Sequence, residues 1–303
     1  MPGAAEHDLG VCEGARAPAL NPLIPSSPIP TMDSHRRDGA GSGMIGSERP
    51  MKILVLGGTA EARVLAGKLA DRKDIDVTLS LAGRTAKPRA QGVPTRIGGF
   101  GGVQGLTAYL RDERVDALID ATHPYADTIS ANAVRAADQA GVPVLALRRA
   151  PWERTPGDQW IEVGSVPEAV AALGAVTRRV FLALGRNEID GFAMAPQHTY
   201  LVRSVDPVDP PLSVPHAIYL TARGPFSEAV DRALLERHRI DVIVAKNSGG
   251  DASYGKIAAA RALHLPVVML ERPAMADTAS VETVEEVFAW LDHAVTLAAT
   301  RGV

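Results

Sequence analysis

The stretch Met51-Lys-Ile-Leu-Val-Leu-Gly-Gly-Thr-Ala-Glu-Ala-Arg63 decides how the rest of the chain is read. An apolar, β-prone run leads straight into Gly57-Gly58, and a helical pattern begins at once. Ala62, Leu65, Ala66, Leu69 and Ala70 recur at helical spacing, while Arg63, Lys68 and Asp71 fall on the opposite face. A buried strand, a glycine turn and a helix N-terminus make the first βα turn of a dinucleotide fold. The first turn of a helix leaves backbone N–H groups without intrahelical partners, so such a turn can hold a phosphate. The G-x-G-x-x-G fingerprint is incomplete here, because Ala62 stands where its third glycine is expected. A tight strand-to-helix turn needs glycine with or without a ligand, so both readings of the loop stay open at this point.

Strands and helices alternate outward from this turn. Strands are expected at Ile75–Leu81, Thr95–Ile97, Asp116–Ile119 and Val144–Leu147, with helices from Val103 to Arg111 and from Ala126 to Ala140. Gly141 and Pro143 supply the stop signal of the latter. The rhythm restarts near Ala150–Arg154. Strands follow at Trp160–Val163, Arg179–Leu184, Thr199–Arg203, His216–Ala222, Asp241–Ala245 and Pro266–Leu270. Ser227 is placed to cap a helix reaching His238, and Thr283–Glu286 reads as a capping box for the last helix. Which half that helix packs on is not set by its sequence. Strands separated by helical segments of this length imply βαβ crossovers and parallel sheets. The expected architecture is α/β, with two Rossmann-like domains, mostly parallel sheets and a ligand cleft between them. The expected divisions are a disordered extension over 1–50, a cofactor domain over 51–150 and a second domain over 151–303.

Composition bounds the function. The chain has 303 residues, 46% of them hydrophobic and 22% charged, which suits an ordinary globular protein with one or two cores. A formal net charge of -3 argues against general nucleic-acid binding. Cys12 is the only cysteine, and the eight histidines are scattered without ligand spacing, so neither a disulfide framework nor a metal site is expected. No apolar run reaches the roughly 20 residues needed to span a bilayer, and no signal-peptide pattern opens the chain. The expectation is a cytoplasmic protein, a monomer or weak dimer, with no membrane or nucleic-acid partner. Residues 1–50 hold seven Pro, seven Gly and no Phe, Tyr or Trp. They have little with which to offset chain entropy, and the functional protein is expected to begin at Met51 or Met44.

The unusual residues are distributed unevenly. Gly57–Thr59, Gly83–Thr85, Asp120–Tyr125, Gly185–Asn187, Arg223–Phe226 and Lys246–Gly250 all follow the carboxyl end of an expected strand. Open α/β sheets bind ligands outside those ends. The second strand ends in Ser80, Arg84 and Thr85 with no acid nearby, which fits a 2′-phosphate better than a carboxylate-read ribose and points to NADPH. The cofactor set is therefore Gly57, Gly58, Thr59, Arg63, Ser80, Arg84 and Thr85, with the Gly98–Gly102 loop as a rival phosphate site. Lys246-Asn-Ser-Gly-Gly250 is either an anion nest or a turn rich in turn formers. Asp120 and His123 suit acid–base chemistry, and equally suit a helix cap and a satisfied loop histidine.

Taken together, the motifs resemble the precorrin-6A reductase family of cobalamin biosynthesis. The resemblance is carried by Leu54–Arg63, Asp120-Ala-Thr-His-Pro-Tyr-Ala126, Ser130, Asn132-Ala133, Pro151-Trp152, Gly185–Glu188, Arg223–Phe226, Val244–Gly250, Lys256, Ala259-Ala260 and Arg272-Pro273. Tyr125 stands where the family commonly has Phe, and Ala245 where it commonly has Thr.

The resemblance implies NADPH-dependent reduction of a macrocycle C=C bond, taking precorrin-6A or its cobalt form to precorrin-6B. It implies a tetrapyrrole substrate rich in carboxylates, held by Arg186, Arg223, Lys246, Asn247, Ser248, Gly249, Gly250 and Lys256. Arg149, Arg154, Arg203 and Arg272 lie near the same ends, and arginine suits bidentate carboxylate recognition. The proton donor is expected among Asp120, His123, Tyr125 and Ser248, or is a water they hold. The competing readings are a generic NADPH reductase of a smaller unsaturated substrate and a non-catalytic NADP-binding sensor.

Overall fold

Central strands of a parallel sheet are covered on both faces, so their side chains alternate between two apolar layers. The first strand, β1 (Met51–Leu56), does this: Ile53 and Val55 enter one buried cluster, while Leu54 and Leu56 enter another. The computed structural model describes residues 49–83 and 90–301, and residues 48–303 form one compact unit. The extension expected at the N-terminus lies outside the described residues up to position 48, as do Arg84 and Thr85.

Eleven more strands and seven helices follow β1 before the last helix among the described residues. In chain order they are α1 (Ala60–Ala70), β2 (Ile75–Leu81), β3 (Thr95–Ile97), α2 (Gly102–Asp112), β4 (Ala117–Asp120), α3 (Asp127–Ala140) and β5 (Val144–Leu147). Then come β6 (Gln159–Val163), α4 (Val166–Leu173), β7 (Arg179–Ala183), α5 (Arg186–Ile189), β8 (Thr199–Ser204) and β9 (Ala217–Thr221). The chain continues through α6 (Glu228–Arg237), β10 (Val242–Lys246), α7 (Gly255–Ala262) and β11 (Pro266–Leu270), and closes with β12 (Ser280–Val281) and α8 (Val284–Arg301). Short 3-10 turns lie at Asp190–Met194 and Asp251–Ser253.

The strands form two six-stranded, all-parallel sheets, ordered β12-β5-β4-β1-β2-β3 and β6-β11-β10-β7-β8-β9. Each run of five consecutive strands has the 3-2-1-4-5 order of a doubly wound sheet, with its switch point between β1 and β4 or between β7 and β10. The sixth place in each sheet is filled by exchange. β6 follows the first five strands but joins the second sheet, and β12 follows the second five but joins the first.

That exchange corrects one expectation. The C-terminal segment does not belong with the second half, because β12 pairs with β5 and α8 buries Val284, Val287 and Leu291 in the first sheet's core beside Leu65 and Leu69 of α1. A strand of two residues carries no readable periodicity. Elsewhere Ser227 caps its helix and Thr283 with Glu286 forms a reciprocal box, as their sequence predicts. Thr59 and Ser165 also cap their helices through side-chain oxygens. Gly141 ends α3 in the left-handed region, at φ 70°.

If α8 is part of the first core, Leu291→Ala should lower the unfolding free energy by about 2–5 kcal/mol, the range for a buried leucine cavity. Urea unfolding checks this. An unchanged midpoint would mean that the helix is peripheral.

Candidate functional site

A cavity of about 480 Å³ opens at the carboxyl ends of the strands, within the size range of small-molecule sites. Both halves of the chain line it. One wall is Gly57–Arg63 with Leu81, Ala82 and Gly83, and Thr122 and His123 stand beside it. The facing residues include Arg149, Arg223–Phe226, Gly249, Gly250 and Ser253.

The first wall is shaped by glycine. A Cβ on Gly57 would lie 2.7 Å from Leu79 Cδ1, so a side chain there would displace the core. Gly58 has φ 131° and open space around it, which leaves its backbone free for close approach. Thr59 Oγ1 accepts the Ala62 N–H at 3.1 Å and donates to the Ala121 carbonyl at 3.0 Å, fixing α1 against the loop after β4. The remaining N–H groups of the first helical turn lack intrahelical carbonyls and face the cavity end of α1. This turn fits a dinucleotide's phosphates. Arg63 is exposed and lines the cavity, whereas Ser80 is buried behind it and accepts the Gly57 N–H on its carbonyl. The rival Gly98–Gly102 loop contributes nothing to the lining, and the Arg96 guanidinium holds its Gly98 and Gly99 carbonyls.

The four candidate proton donors are placed differently. Asp120 is buried and takes hydrogen bonds from Thr122 N, Thr122 Oγ1 and Ser130 Oγ, so its carboxylate shapes the loop from beneath. His123 lines the cavity, and its Nδ1 accepts the Tyr125 N–H at 3.3 Å, which places a neutral ring's proton on Nε2. The Tyr125 hydroxyl faces away from the cavity lining. It donates to the Leu270 carbonyl and accepts the Asn247 N–H at 2.8 Å, and burial pushes its pKa up to about 12. Ser248 is also absent from the lining, although its carbonyl accepts from Arg149 and Arg272.

The cations expected to hold substrate divide in the same way. Arg223 lines the cavity, 3.4 Å from the Asp206 carboxylate. Lys246 pairs with Glu188 at 2.7 Å and lies 4.8 Å from the Tyr125 ring centre. Arg186 opens α5, exposed and outside the lining. Arg272 directs its guanidinium at three backbone carbonyls, those of Asn247, Arg149 and Ser248. Asn247 bonds both the N–H and the C=O of Trp152. Only Gly249 and Gly250 of the Lys246–Gly250 loop reach the cavity. Gly249 is required twice over, by φ 68° and by an Ala150 carbonyl that would sit 2.1 Å from a Cβ.

Lys256 is buried, with its Nζ donating to the Ser253 carbonyl at 2.6 Å and lying 4.7 Å from the Trp152 ring centre. Burial, reinforced by the nearby Arg203 charge, lowers its pKa to about 7. Ser253 lines the cavity without a sequence signal for the site, and Glu61, inside the Leu54–Arg63 motif, reads by itself as a first-turn acid matched to the helix dipole.

The lowered Lys256 pKa has a definite stability signature. Below pH 7 the amine is charged in both states and its burial costs fully. Between pH 7 and the ordinary lysine value the unfolded chain binds the proton that the folded chain lacks, so folding is favoured as pH rises. Relative to Lys256→Met, the wild-type chain should gain up to about 1.4 kcal/mol of stability per pH unit across that window. Urea unfolding of both proteins at pH 6 to 9 measures it, and a pH-independent difference would show a permanently charged amine.

The family model described as Precorrin-6x reductase CbiJ/CobK matches residues 52–292. The chain is 55% identical over 246 residues to a precorrin-6A reductase of Sinorhizobium sp., covering 81% of this chain and 94% of that protein. It is 50% identical over 253 residues to the precorrin-6A reductase of Rhodobacter capsulatus, covering 83% and 99% respectively. A solved structure titled CobK precorrin-6A reductase superposes with a TM-score of 0.78 at 49% identity, covering 80% of this chain and 97% of that one. On this evidence the chain belongs to the precorrin-6x reductase family.

Proposed function

We propose that the cavity is where the chain carries out its reaction, the NADPH-dependent reduction of precorrin-6A in cobalamin biosynthesis. The observation that carries this placement is one cavity lined by loops of both sheets, with a dinucleotide-type turn on one side and Arg223 and two glycines on the other. We place the protein in the cytoplasm as a monomer or weak dimer. Among the described residues no helix is long and apolar enough to cross a membrane.

NADPH, when bound, would supply the hydride, which leaves the protein to position both reactants and deliver a proton. The backbone of Gly57–Thr59 and the first turn of α1 would hold its phosphates. Gly83 lines the cavity, and Arg84, outside the described residues, follows it directly in sequence and would take the 2′-phosphate. Arg223 meets substrate carboxylates as a charge-assisted donor, with the Gly249-Gly250 backbone alongside. Of the four donor candidates His123 is the one in the lining, so the proton reaches the macrocycle from its Nε2 side, directly or through a water it orients.

Anaerobic single-turnover mixing with precorrin-6A and NADPH tests the reading. Replacing His123 with Asn should slow reduction roughly a hundred-fold, the scale of a lost general acid, while substrate still binds. An unchanged rate with intact binding would assign the proton to solvent. Arg84→Ala should raise the NADPH constant far more than the NADH constant; equal effects would remove Arg84 from 2′-phosphate recognition.

A further inference from the structure

We propose that Arg149 is a positioning residue that couples the two ends of the cavity, so that cofactor held at the Gly57–Glu61 turn raises the affinity for tetrapyrrole at the Gly249-Gly250 loop. The proposal rests on the placement of both ligands given above. It concerns how the two halves of the site communicate.

Arg149 lies two residues past β5 and lines the cavity. Its guanidinium reaches both ways. Nη1 pairs with Glu61 Oε2 at 2.6 Å, and Nε donates to the Ser248 carbonyl at 2.6 Å. Its own carbonyl accepts from Arg272 at 2.8 Å, and Arg272 also holds Asn247 and Ser248, so the strut is anchored at its base. The packing is close. A Cβ on Gly250 would lie 3.0 Å from Arg149 Cδ and 3.2 Å from Glu61 Oε1. Glu61 of α1, Arg149 and Gly250 are thus stacked in contact, joining the cofactor turn to the substrate loop.

Glu61 explains why the strut matters to the cofactor. It places a carboxylate in the first turn of the helix whose N-terminus is to receive phosphates, and among the lining residues it is the single acid. An unpaired Glu61 would repel those phosphates, and the Arg149 pair neutralises it. The pair is only partly exposed, at 16% for the arginine side chain, so solvent screens it less than a surface pair. A planar guanidinium holds its donors in fixed directions. Ordering it against Glu61 therefore orders its Nε against Ser248. A ligand that fixes one end lowers the ordering cost at the other, which is positive coupling between sites.

The experiment uses the full chain and NADP⁺, which occupies the cofactor site without delivering hydride. Precorrin-6A dissociation constants are measured anaerobically with and without saturating NADP⁺, and the ratio is the readout. For the wild type the expected ratio is on the order of ten. Arg149→Met and Glu61→Gln should each bring it close to one. Loss of a cation near substrate weakens both arms alike and leaves the ratio unmoved, so a purely structural or purely charge-based role is separated from coupling. Arg149→Lys, which keeps the charge without the two fixed donor directions, should also fall well below the wild type. If Arg149→Met does not fold, Glu61→Gln and Arg149→Lys carry the test. A wild-type ratio of one, or a ratio unchanged in these variants, overturns the coupling. Gly57→Val tests the underlying placement. If it loses NADP⁺ affinity while the wild-type ratio is one, the coupling alone falls; retained NADP⁺ affinity overturns the cofactor placement and the coupling with it.

Discussion

The seam behind the cavity is closed in this chain by one hydroxyl used twice. Tyr125 sits on the loop after β4 of the first sheet, yet its phenol accepts the Asn247 N–H and donates to the Leu270 carbonyl at the ends of β10 and β11. The Asn247 N–H also reaches the Leu270 carbonyl directly, at 3.1 Å, so the phenol ties itself into an existing contact between the two strand ends. Asn247 passes the constraint on to Trp152, and Arg272 draws Asn247, Ser248 and Arg149 together. Such a seam is directional. Apolar packing tolerates sliding, whereas bonds to fixed carbonyls and N–H groups specify one register between the loops that line the cavity.

The exchange of sixth strands works at longer range towards the same end. β6 leaves the first run of strands to pair with β11, and β12 leaves the second run to pair with β5. Neither sheet can be completed without chain from beyond the other, and the switch points at β1/β4 and β7/β10 are held within one compact unit. The loops after those four strands include Gly57–Thr59, Thr122-His123 and Gly249-Gly250, all of which line the cavity.

The fold was legible because the signals were local. Continuous apolar strands, Gly141, the Ser227 cap and the Thr283–Glu286 box act within a few residues of where they are written. Two residues of β12 and the choice of partner for α8 are settled by packing, which no periodicity records. The site was legible as a set of loops but not as a set of side chains. A cation after a strand looks the same in sequence whether it awaits a carboxylate or a carbonyl. Arg272 bonds the carbonyl of Arg149, 123 residues away, and Lys256 turns inward to Ser253 and Trp152. Asp120 likewise serves the loop that presents His123, a role that no spacing distinguishes from catalysis.

The same division of cations explains how an acidic chain can serve a polyanionic cofactor and substrate. A net charge of -3 is a property of the whole surface, whereas binding responds to the potential inside the cleft. In the second half, carboxylates that would oppose anions are already matched: Asp231 by Arg203, Glu188 by Lys246 and Asp158 by Arg261. At the cavity Arg63, Arg149 and Arg223 then face Glu61 as the sole lining carboxylate, and Arg149 answers it directly. With a Debye length of about 8 Å at physiological ionic strength, distant surface acids are largely screened, whereas the partly buried Arg149–Glu61 pair is screened less. Arg149 therefore cannot be exchanged for any cation that merely restores the count, because the charge must reach Glu61 while its second donor stays on Ser248.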